Sequence, residues 1–69
     1  MYENYARLRD KRGYTDYRVS KETGITKSTF SEWKRGRSNP KVEKLRKIAK
    51  CLNTTIEALL EEEEEGESE

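Results

Sequence analysis

The sequence has no histidine, one cysteine, one proline, and no apolar run approaching the roughly 18 residues of a membrane-crossing helix. Without histidine, a Cys-His nucleophile, a zinc site of the usual spacing and a histidine general base are all excluded. Cys51, standing alone, can form no disulfide within the chain and no cysteine-based metal cluster, so it reads as inert helix packing. No segment alternates apolar and polar residues in the manner of a half-buried strand. The N-terminus runs directly into MYENYARLRDKRG, without the pattern of a signal peptide. What remains holds no catalytic constellation, no metal ligands, and no sign of a cofactor or small-molecule substrate, and the expectation is a non-enzymatic protein of the cytoplasm.

Charge is more informative divided than summed. The 69 residues carry a formal net charge of +1, but residues 61–69 contain seven of the 14 acidic groups and no lysine or arginine. Residues 1–60 therefore hold all 15 basic groups against seven acidic ones, a charge of +8. The sign of this body suits a polyanion, and the sign of the tail opposes it. Five consecutive glutamates followed by Gly-Glu-Ser-Glu repel one another, so residues 61–69 are expected to form a disordered acidic tail behind a single domain at 1–60. A core of this size supplies no more than about 3 to 5 kcal/mol, and dimerisation would help it.

Five helices fit the apolar spacing. The first, near residues 3–12, points Tyr5 and Leu8 inward, with Tyr2 a turn earlier and Gly13 as its C-cap. Thr15 caps the second, with Asp16 in its first turn against the helix dipole. Thr26 caps the third, which ends near Lys34. Asn39 and Pro40 announce the fourth as cap and first-turn proline, and Val42, Leu45, Ile48, Ala49 and Leu52 form its stripe. The fifth starts at Thr54 or Thr55, with Glu57 placed to close a capping box on Thr54, and buries Ile56, Leu59 and Leu60.

Residues 13–40 read GYTDYRVSKETGITKSTFSEWKRGRSNP. Two short helices meet at Gly24, which permits a tight left-handed turn, and Val19, Ile25, Phe30 and Trp33 supply the apolar positions that fix their angle. That is the outline of a DNA-binding helix-turn-helix, whose second helix presents its first polar residues to a groove. Phe30 and Trp33 fall at core positions of the helical period rather than where bases would stack on them. Tyr14 is expected in the core, and Tyr17 is expected to be partly exposed, free to reach a phosphate or to pack on a neighbouring helix.

From about Tyr5 to Leu60 the chain resembles the lambda-repressor-like helix-turn-helix family, the Cro and phage-repressor type. The matching positions are Arg-x-x-x-Gly at Arg9 to Gly13, Thr15, Val19 with Ser20, Gly24 with Ile25, the Ser/Thr-rich helix from Thr26 to Trp33, Gly36, Pro40, and Leu-x-x-Ile-Ala-x-x-Leu from Leu45 to Leu52. The resemblance implies an all-α, compact five-helix domain with its helix-turn-helix at helices two and three. It also implies a transcriptional regulator of phage or mobile-element type, binding a palindromic operator in double-stranded DNA as a homodimer at the nucleoid. Two positions depart from the pattern. Asp16 stands where the family usually has glutamine, and so cannot donate to a phosphate, but it is placed to hold a basic side chain instead. Lys34 stands where the family usually has a glutamate that pairs with the arginine at the position of Arg9. Either Lys34 turns outward to DNA, or the ion pair is rebuilt on another acid such as Asp10 or Glu32.

Lys27, Ser28, Ser31 and Glu32 share the face of helix three opposite Phe30 and Trp33, and are the candidates for base contact. By resemblance the positions of Lys27, Ser28 and Glu32 read bases. Lysine donates to guanine O6 and N7, glutamate accepts from cytosine N4, and serine is adaptable. Phosphate contacts are expected from Thr15, Thr26 and Thr29, at or near helix N-termini, and from Arg35, Arg37, Ser38 and Lys41 in and beside the basic loop. Dimerisation is expected through helix five, with Ile56, Leu59, Leu60 and Cys51, because that region lies away from the DNA face. The same fold also serves antitoxins and restriction controllers, and a protein-interaction module without DNA binding is a further alternative.

Overall fold

The apolar periodicity resolves, in a computed structural model that describes residues 2–60, into five helices with no strand among the described residues: α1 (Tyr2–Lys11), α2 (Asp16–Thr23), α3 (Lys27–Lys34), α4 (Val42–Cys51) and α5 (Ile56–Leu60). The acidic segment 61–69, expected to form a disordered tail, lies outside the described residues. α2 packs against both α3 and α4, and α5 closes against α1 and α4. The core between them comprises Tyr5, Val19, Ile25, Phe30, Trp33, Leu45, Ile48, Ala49, Leu52 and Leu59. Burying each large side chain in such a set stabilises by roughly 1.5 to 3 kcal/mol, which is how so polar a chain holds a fold.

The helix ends follow from local chemistry. The amide of Gly13 bonds the Asp10 carbonyl at 2.9 Å and that of Tyr14 bonds the Arg9 carbonyl at 3.0 Å, so the last carbonyls of α1 are satisfied in a Schellman closure. α4 ends in the same way, except that Asn53 takes the left-handed position with φ 56°, a role that asparagine tolerates.

Several expectations about helix starts and buried residues are corrected or narrowed. Pro40 does not open α4: its ring is buried in the preceding loop, Lys41 occupies the N-cap with no side-chain bond, and the helix begins at Val42. Val42 is 57% exposed because it sits on that first turn, beyond the helices that cover Leu45, Ile48 and Ala49. Thr55 rather than Thr54 caps α5, accepting from the Ala58 amide at 3.1 Å, because the Thr54 amide is committed to the Ala49 carbonyl at 2.8 Å. Of the apolar residues of α5, Leu59 is buried, Ile56 is half-buried, and Leu60 remains 46% exposed. Tyr14 is half-buried rather than core, with the Arg18 guanidinium 4.2 Å above its ring.

Candidate nucleic-acid interface

The angle between α2 and α3 is set by polar bonds as well as by packing. Gly24 adopts φ 80°, and its amide bonds the Ser20 carbonyl at 2.9 Å. The Ser20 hydroxyl donates to the Ile25 carbonyl, and the Thr23 hydroxyl donates to the Val19 carbonyl while accepting from the Ile25 amide. Val19 and Ile25 are buried on either side of this turn. Thr15 caps α2 by accepting from the Arg18 amide, and Thr26 caps α3 by accepting from the Thr29 amide. Both capping threonines are exposed, so each places a hydroxyl beside a positive helix end, where anions bind.

The opposite side of α3 is anchored from α1. Tyr5 is fully buried and stacks on Phe30 at 5.4 Å and on Trp33 at 5.0 Å between ring centroids. Trp33 is 2% exposed, its indole N–H has no hydrogen-bond partner among the described residues, and the ring of Tyr2 meets it edge-on at 5.5 Å. With its aromatic face buried, α3 turns Lys27, Ser28 and Ser31 to solvent, with Glu32 half-buried beside them.

A groove beside α3 brings together Ser28, Thr29 and Glu32 with Ser38 and Lys41 of the following loop, so five of the eleven candidate contact residues line one depression. Arg37 adjoins it, with Nη1 3.9 Å from Glu32 Oε1, a loose pair at the surface worth little by itself. The loop leaves α3 by a third Schellman closure. Gly36, at φ 76°, donates to the Trp33 carbonyl and Arg37 to the Glu32 carbonyl, which turns Arg35 and Arg37 out into solvent. Thr26 is exposed at the head of the helix, its hydroxyl 3.1 Å from that of Thr29. Thr15, Thr26, Lys27, Ser31, Arg35 and Arg37 do not line the groove.

Asp16 organises the junction of α1 and α2. It accepts from Tyr5 Oη at 2.6 Å, from Tyr2 Oη at 2.9 Å and from Arg9 Nη1 at 2.8 Å. Burial works to raise its carboxyl, but the bonds from Tyr5, Arg9 and Tyr2 outweigh burial and hold it below the usual carboxylate range. Burial, followed by donation to this carboxylate, pushes the Tyr5 phenol far above its ordinary value. Asp10 also pairs with Arg9, at 2.9 Å, whereas the bond that reaches from α1 to α2 ends on Asp16. Of the two acids considered for the rebuilt pair, Asp10 takes part and Glu32 faces Arg37 instead. Lys34 is exposed and has no carboxylate partner among the described residues.

A helix-turn-helix family model matches residues 6–59, most of the chain. The chain belongs to the helix-turn-helix family. A relative is the uncharacterized HTH-type transcriptional regulator y4dJ of Sinorhizobium fredii, 36% identical over 52 residues that make up 75% of this chain and 68% of that protein. No solved structure matches. The helix-turn-helix family is typically non-enzymatic, and among the described residues no group of three or more histidine, cysteine or acidic side chains is placed to hold a metal. No helix among them is long and apolar enough to cross a membrane.

Sequence reasoning passed over several residues that shape this helix-turn-helix. Thr23 was visible only as a polar residue beside a glycine, although a threonine one position before a left-handed turn commonly bonds back to the preceding turn of helix. Asn39 and Lys44 line the groove with the candidate residues, and the basic character of Lys44 was the available signal. Cys51 fits its reading as inert packing: burial, then its bond to Glu22, pushes the thiol up and keeps it protonated.

Proposed function

We propose that the chain is a sequence-specific regulator of transcription of the phage or mobile-element repressor type, which binds a palindromic operator in duplex DNA as a homodimer. The observation that carries this reading is the two-sided character of α3. Phe30 and Trp33 are sealed into the core, so Lys27, Ser28, Ser31 and Glu32 are fixed at a solvent face beside a basic loop. Such a face has the dimensions and donor set for a major groove. Lys27, Ser28, Ser31 and Glu32 contact bases, while Thr15, Thr26, Thr29, Arg35, Arg37, Ser38 and Lys41 hold phosphates and set the register. Residues 1–60 form the binding domain.

The homodimer forms through α5, supported by the exposure of Leu60 and the partial exposure of Ile56 and Cys51. Selection of bound fragments from a random duplex pool tests the function. The expected result is a two-fold symmetric consensus whose affinity falls steeply with salt. Recovery of no consensus, with affinity insensitive to salt, would leave a protein-interaction module instead.

A further inference from the structure

Tyr17 is an exposed aromatic with an unusual setting. Its ring is 56% exposed on α2, yet two ammonium groups approach it, Lys21 Nζ at 5.6 Å and Lys27 Nζ at 5.4 Å from the centroid. Lys21 lies one turn further along the same helix, and Lys27 is the first residue of α3, so the ring bridges the two helices at the head of the polar face. Neither ammonium has a carboxylate partner among the described residues. The choice of an aromatic matters here. A carboxylate at this position would hold Lys27 more firmly but would cancel the charge that a polyanion seeks, whereas a π face holds a cation without neutralising it. It also restricts a side chain with four rotatable bonds, reducing the entropy lost when that side chain is fixed on a ligand.

We propose that Tyr17 is a positioning residue of the DNA interface: its ring holds the Lys27 ammonium ready for a base edge, and Lys21, on the same ring, takes a backbone phosphate. This rests on the duplex-DNA reading above. It carries the interface from Thr15 and α3 along the exposed face of α2, and it adds Lys21, which was not among the candidates.

The test uses the whole 69-residue chain and the duplex it selects from a random pool, with a scrambled duplex as control. Tyr17→Ala should weaken the selected duplex about two- to fivefold, the value of a cation–π contact at an exposed site, and weaken the scrambled duplex less, through Lys21 alone. Tyr17→Phe keeps the ring and should bind as the parent does. In the Lys27→Ala background the Tyr17→Ala change should cost less than in the parent, and preference should relax at the same base pair in either single variant. Lys21→Ala should lower the salt slope by about one per protomer. Circular dichroism checks that each variant folds. Additive losses from Tyr17→Ala and Lys27→Ala, or a Tyr17→Phe as weak as Tyr17→Ala, would overturn the positioning role. An unchanged slope for Lys21→Ala would remove the phosphate contact, and pull-down of a protein through Tyr17 with DNA affinity intact would reassign the face. If the parent selects no duplex at all, the function itself fails, which these variants do not mimic.

Discussion

Arg9 Nη1 lies 2.8 Å from Asp16 Oδ1, and this contact fastens the last turn of α1 to the first residue of α2. In the family pattern the acid for this arginine stands at position 34, on α3. Here position 34 is an exposed lysine and the arginine's acid stands at position 16. By that resemblance the two departures form an exchange, which places the acid of the pair on α2 and a cation at the end of α3.

Asp16→Asn should therefore destabilise the domain by about 1 to 3 kcal/mol, since it weakens charge-assisted bonds to a half-buried arginine and two phenols. Adding Lys34→Glu, which restores the family acid, should recover part of the loss. Urea denaturation of the single and double variants reads this directly, and a double variant less stable than Asp16→Asn would contradict the exchange.

The same group sets an acid limit. Because the folded carboxyl of Asp16 is held below its unfolded value, its contribution is fully present above about pH 4 and is lost as pH falls through the folded value. Stability measured from pH 6 down to pH 2 should decline less steeply in Asp16→Asn than in the parent. At the other end, Tyr5 and Tyr2 titrate above their ordinary value when folded, so stability should fall as pH rises beyond about 10. Tyr5→Phe should reduce this alkaline loss.

Contacts to bases and to phosphates should separate in binding assays. Lys27→Ala is expected to cost about 1 to 3 kcal/mol on the selected operator and to relax one base position. Arg37→Ala should weaken selected and scrambled duplexes alike. With about four phosphates neutralised per protomer, the dimer's log affinity should fall against log salt with a slope near about −7. Equal effects of both variants on both duplexes would erase the distinction.

Leu60→Asp should convert the dimer to a monomer in analytical ultracentrifugation while changing stability by no more than about 0.5 kcal/mol, because the side chain is already half in water. A sedimentation coefficient unaltered from the parent's would move the interface elsewhere.

Where local chemistry and tertiary packing agree, the sequence is a good guide. Thr15, Gly24 and Thr26 cap and turn where their types demand, and Phe30 and Trp33 are buried where the helical period puts them. Discrepancies arise where a tertiary contact decides between equivalent local choices. Pro40 satisfies the rule for a first-turn proline, yet burial of its ring keeps it in the loop, and Thr54 resembles Thr55 until its amide is taken by Ala49. The partner of Arg9 could not be read from spacing, because Asp10 in the last turn of α1 and Asp16 at the start of α2 flank the same short loop, and only the fold brings Asp16 to Tyr5 and Arg9. The polar face of α3 was legible, whereas the groove joining it to Ser38 and Lys41 depends on how the loop returns to α4.

Trp33 gives α3 its own optical reporter. It is the sole tryptophan of the chain, it is sealed from water, and its neighbours are the rings of Tyr2, Tyr5 and Phe30. Emission should be blue-shifted in the native protein and move to the red as the aromatic cluster opens, while a bound duplex, meeting the opposite face of α3, should leave the wavelength nearly unaltered. Fluorescence thus follows the integrity of α3 without interference from what α3 holds, so thermal melts can be compared with and without operator on a single intrinsic signal.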